Sequence, residues 1–74
     1  MDRRFLEENL AMVEGHVAEG EVHLLHQRQI VSELRRDGHD TTQSELLLAA
    51  FEAAQAAHCA HCDRLRLELS SLKP

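Results

Sequence analysis

Proline is missing from positions 1–73, the sole one being Pro74, so nothing in the interior forces a helix to break. Aromatic residues are almost absent. Phe5 and Phe51 are the two, with no tryptophan or tyrosine, which leaves no platform for stacking bases. Basic clusters are short as well: Arg3-Arg4 and Arg35-Arg36 are the only doublets, against a net charge of −5. Nucleic-acid binding is therefore excluded as a reading. The longest apolar run, Leu46 to Phe51, falls far short of the roughly 20 residues a bilayer-spanning helix needs. The early acids Asp2, Glu7 and Glu8 do not fit a secretory signal, and a cytoplasmic location with reduced thiols is expected. Cys59 and Cys62 stand too close in sequence to staple distant segments together.

What remains is a chain rich in helix formers with two long periodic stretches. From residue 3 to 36, Leu6, Leu10, Val13, Val17, Gly20, Leu24, Gln27, Val31 and Leu34 recur in alternating steps of four and three. That spacing is a heptad seam, with Gly20 and Gln27 as weak members. A second row, Phe5, Met12, His16, His23 and Ile30, runs beside it. Asp2 suits the N-cap, and Glu7 and Glu8 suit the early turns. The segment 37–42 then reads as a stop. Arg35 and Arg36 end the helix, Gly38 sits where a left-handed residue is wanted, and Thr42 with Glu45 has capping-box spacing. A second helix is predicted over 43–72, with the stripe Leu47, Phe51, Ala54, His58, His61, Leu65, Glu68 and Leu72, Cys62 and Leu69 close beside it, and an alanine-rich middle. So short a connection makes the helices antiparallel neighbours. The expected fold is an all-α two-helix hairpin forming one domain over residues 1–74.

The two rows of helix one span an arc of roughly 160° at about 100° per residue, wider than one neighbouring helix covers. A chain of 74 residues also builds only a marginal core. The hairpin is thus expected to dimerise into a four-helix bundle. Its expected interface is Leu6, Leu10, Val13, Val17, Leu24, Val31, Leu34, Leu47, Phe51, Leu65 and Leu72. Val22 and Leu25 lie off the main arc and mark a second candidate contact.

Six histidines are many for this length. His39 falls in the turn and His26 on the polar side of helix one. His58 stands in the middle of the second stripe, where an unsatisfied imidazole would cost on the order of 1–3 kcal/mol and depress stability as pH falls through the histidine range. With the turn centred near residues 39 and 40, antiparallel pairing sets His58 opposite Val17, Gly20 and Leu24. The same pairing brings His61 and Cys62 near His16 and Val17. Gly20 sacrifices roughly 1 kcal/mol of helix propensity, as if something needed its space. His16, His58, His61 and Cys62 are accordingly candidate ligands for a transition metal such as zinc, the bland alternative being ordinary hydrogen bonding of His58.

Other chemistry is not indicated. Cys59-Ala60-His61-Cys62 is followed by Asp63 rather than the histidine of a haem attachment site. It lies inside a helix rather than at the helix N-terminus that redox pairs use. No histidine has a glutamate three residues before it, as di-iron bundles require. No nucleophile has a recognisable base and orienter, and no enzymatic activity is expected.

The segments Gly15-His16-Val17-Ala18-Glu19-Gly20-Glu21 and Asp37-Gly38-His39-Asp40-Thr41, with Gln27-Arg28-Gln29-Ile30-Val31 and Leu34 between them, resemble a group of short bacterial proteins of no established activity. That group shares G-H-x-A-x-G-E and D-G-H-D-T segments. The resemblance covers most of the chain and implies a bacterial cytoplasmic helical hairpin, with no chemistry attached. His58 belongs to the shared pattern and the cysteines do not. The function read from the sequence is a self-associating structural or protein-interaction module, with a metal-binding or metal-responsive protein as the alternative.

Overall fold

A computed structural model describes residues 2–72 and contains two helices, α1 (Arg3–Arg36) and α2 (Thr42–Ser71), packed side by side with no strand among the described residues. Asp2 caps α1, its carboxylate accepting from the backbone N–H of Arg4 at 3.4 Å. The other end of α1 closes in a Schellman arrangement. The N–H of His39 donates to the carbonyl of Leu34 and that of Gly38 to Arg35, with Gly38 at φ +75°. These bonds satisfy carbonyls that the helix end would leave orphaned, and the positive φ is one that glycine adopts without penalty.

The start of α2 differs from the capping box. The helix begins at Thr42, and no side chain at Thr41 caps it. Asp40 does this work: its carboxylate accepts from both the N–H and the hydroxyl of Thr42, at 3.0 and 2.7 Å. These bonds hold the Asp40 carboxyl below its ordinary pKa of 3.8, the backbone donor contributing most. Glu45 is engaged elsewhere, accepting from Arg35 at 2.6 Å and from the Thr41 hydroxyl at 3.1 Å.

The result is a rod, 59 × 14 × 13 Å with a radius of gyration of 16.9 Å. A compact domain of this length would have a radius near 11 Å. In α1 the seam is the predicted one: Leu6, Val13, Leu24, Gln27 and Val31 are buried, and Leu10, Val17, Gly20 and Leu34 are half-buried. In α2 the seam is rotated by about half a position. Phe51, His58, Leu65 and Leu72 face inward as predicted, with Cys62 and Leu69 from beside the predicted stripe; Leu48 and Gln55 take the places of Leu47 and Ala54, Glu68 is exposed, and His61 is half-buried at the border. Leu47 is exposed at 46 %. The largest apolar cluster, Leu6, Val13, Cys62 and Leu65, lies toward the open end. There Arg3 also donates to the carbonyl of Leu72 at 2.9 Å.

Two buried glutamines interrupt this seam and fix its register. Gln27 donates to the carbonyl of Ser44 at 2.9 Å. Gln55 donates to the carbonyl of Val17 and to the carboxylate of Glu21, both at 2.9 Å. A polar group inside a coiled-coil seam stabilises the alignment that satisfies it and penalises the others.

Candidate functional site

The seam divides the hairpin into two flanks of different chemistry. One is closed by ion pairs between the residues that border the seam on that side: Arg35 with Glu45 at 2.6 Å, Arg28 with Glu52 at 3.9 Å, and Arg66 with Glu14 at 3.0 Å. All three pairs are about half exposed, so each stabilises the fold modestly and chiefly selects the antiparallel alignment. Arg66 also reaches Asp63, and the glutamate beside it raises its pKa above the ordinary arginine value. A shallow groove of about 350 Å³ on this flank is lined by Val17, Cys59, Cys62 and the charged residues Glu14, Asp63 and Arg66.

The opposite flank carries no cross-helix ion pair among the described residues. The positions that border the seam here are Asn9, His16, His23 and Ile30 on α1, and Leu47, Ala54, His61 and Glu68 on α2. Between the helices runs an open groove of about 390 Å³ lined by His16, Glu19, Gly20, His23, Phe51, Ala54, Gln55 and His58. Phe5 and Met12, 52 % and 54 % exposed, continue this side of α1. The second row of α1 is thus left largely bare by α2.

Within the groove, aromatic rings meet in two steps one heptad apart on α1. The His16 and His58 rings stand 5.3 Å apart between centroids and are inclined by 51°. His23 and Phe51 stand 5.8 Å apart and are inclined by 32°. His58 is half-buried, whereas His16 and His23 are exposed.

The register differs from the expected one by roughly a helical turn, and this decides which candidate ligands meet. His58 faces His16 and not the Gly20 gap. Gln55 occupies that gap, its carboxamide lying where a Cβ on residue 20 would be. Cys62 is 2 % exposed and packed among Leu6, Val13 and Leu65, so it points into the apolar core rather than toward the histidine groove. His61 borders the histidine flank without lining the groove. Of the four candidate ligands, one chain therefore brings together His16 and His58. Among the described residues, no group of three or more His, Cys, Asp and Glu side chains is placed to hold a metal ion.

Of the eleven apolar residues expected at an interface, ten are buried or half-buried, and they form or adjoin the seam within the hairpin; Leu47 is exposed. The surface left over is the histidine flank instead. Gln55 was not singled out in the sequence, although it is the one uncharged polar residue in the alanine tract 53–57. Its Oε1 is buried and has no hydrogen-bond partner among the described residues. No described helix is long and apolar enough to cross a membrane. No protein-family model, curated protein or solved structure matches this chain.

Proposed function

We propose that this protein is a small self-associating module whose hairpins pair through the histidine flank to form a four-helix bundle, which in turn acts as a structural or protein-interaction unit. The observation that carries the reading is the asymmetry of the two flanks. One is zipped by Arg35–Glu45, Arg28–Glu52 and Arg66–Glu14, and the other presents Phe5, Met12, Ile30, Leu47 and four histidines, with no ion pair across it among the described residues.

Surface area supports a second hairpin as the occupant. The chain exposes 5461 Å², whereas a compact monomer of 8.4 kDa exposes roughly 4600 Å². The bare face of a rod 59 Å long and 14 Å wide presents on the order of 800 Å² per partner, which is the size of a standard stable interface. Because a two-fold axis brings the same patch together from both copies, one flank that is mostly apolar and histidine-lined is sufficient for both sides of the contact. Charge supports it too: face-to-face stacking on this flank leaves the ion-paired sides in water. A cytoplasmic setting agrees with two free thiols, Cys59 exposed and Cys62 buried.

Sedimentation velocity at micromolar concentration tests the proposal. The expected species has twice the mass of the chain; a folded species of single-chain mass overturns it.

A further inference from the structure

We infer that two hairpins together hold one transition-metal ion, of the zinc class, between the His16–His58 pair of one copy and the same pair of the other. This rests on the dimer proposed above and adds an occupant to its interface. The first ground is the geometry of the pair. An imidazole nitrogen binds zinc at 2.0–2.1 Å, which puts the ring centre about 3.2 Å from the ion, and two rings at the tetrahedral angle then stand roughly 5.2 Å apart. The His16 and His58 rings stand 5.3 Å apart. One chain supplies two ligands and no third within reach among the described residues, so its half-site is completed only by another molecule.

The second ground is what a two-fold axis does to this flank. In the register midway between the ion pairs of one flank and the ring pairs of the other, Ile30 lies level with Leu47, His16 with His61, and Asn9 with Glu68. An axis parallel to the helices lays α1 of one copy over α2 of the other at the same level. Ile30 then meets Leu47, Asn9 meets Glu68, and His16 meets His61 and His58, each across the interface. An axis perpendicular to the helices through the middle of α1 would instead set Ile30 against Asn9 and Leu47 against Glu68. The parallel axis matches apolar with apolar and polar with polar, and it gathers the two His16–His58 pairs into one layer. Four imidazoles gathered in one layer suit zinc and its neighbours, whereas calcium and magnesium require a shell of oxygen ligands.

The experiment is equilibrium dialysis of the full chain, without an affinity tag, against zinc and then against metal-free buffer, with sedimentation in chelator run in parallel. The expected result is about one zinc ion retained per two chains. Cobalt at the same stoichiometry should give the visible absorption of a tetrahedral nitrogen site. His16→Ala and His58→Ala should each weaken zinc retention at least about tenfold, while His39→Ala, in the turn, should leave it unchanged. Circular dichroism confirms that each variant is helical, and His58→Gln, closer in volume, replaces any variant that is not. A dimer in chelator that retains no more zinc than His58→Ala overturns the inference and leaves the dimer standing. A monomer with and without zinc overturns both.

Discussion

The Gln55 carboxamide lies directly over Gly20, its Oε1 where a Cβ would stand, so a side chain at residue 20 requires the amide that donates to Val17 and Glu21 to shift. The glycine is therefore a complement to a buried amide on the facing helix. Its loss of helix propensity is offset by the two hydrogen bonds it permits.

That relationship predicts a change of sign. Gly20→Ala should gain about 1 kcal/mol from helix propensity but displace Gln55 from two bonds of about 1 kcal/mol each, and so destabilise on balance. In a Gln55→Ala background the clash is gone, and the same Gly20→Ala change should stabilise by about 1 kcal/mol. Chemical denaturation of the four proteins of this cycle measures both values. Equal effects in the two backgrounds would show that the residues are not coupled.

The core makes a second prediction. Leu6 and Leu24 are 2 % and 5 % exposed, and truncating either to alanine should cost about 2–5 kcal/mol. Leu67 is 69 % exposed on the outer side of α2, and Leu67→Ala should fall within about 0.5 kcal/mol of the parent. Thermal melting of the three variants decides it, and comparable losses at Leu67 and Leu24 would contradict the placement of the seam.

Asp40 links stability to acidic pH. Its folded pKa lies below the ordinary 3.8, so its contribution is fully present above that value and is lost as pH falls through the folded pKa. Asp40→Asn should therefore melt lower than the parent at pH 7, and the gap should narrow below about pH 4. Melting curves from pH 7 to pH 2.5 provide the comparison. A gap that stays constant to the acid end would rule out the carboxylate at Thr42 as its source.

How far this fold could be read from the chain depended on contrast. In α1, leucines and valines alternate with charged residues, so the inward positions from Leu6 to Leu34 stand out. In α2, alanine fills both faces of the middle, and the two residues that settle the rotation, Gln55 and Cys62, are not obvious core members. Periodicity selects Ala54, one position from the buried Gln55, and His61, which is half-buried beside the fully buried Cys62. That rotation turns Cys62 into the core and away from a metal site, and the separate shift of register by about a helical turn sets His58 against His16 rather than Gly20. The flank asymmetry was written in the sequence as glutamates 45 and 52 and Arg66 complementing arginines 35 and 28 and Glu14. Those pairs become visible only once the register is known, and the register is set by buried glutamines that a hydrophobicity pattern scores as defects.

The flanks also respond differently to salt. The ion pairs are half-exposed, so Arg66→Ala should lower the melting temperature only slightly, and that loss should shrink further at high ionic strength. Self-association through a flank with no ion pair across it among the described residues should persist in 1 M salt, where the Debye length is about 3 Å. Dissociation on adding salt, followed by light scattering, would place the contact on the ion-paired side.

The central claim is that the histidine flank is covered by a second copy, and sedimentation equilibrium of paired lysine variants tests it most directly. Ile30→Lys or Leu47→Lys should give a helical monomer, while Leu67→Lys, on the outer side, should remain a dimer like the parent. A parent that is monomeric, or a dimer indifferent to lysine at residues 30 and 47, would contradict the account.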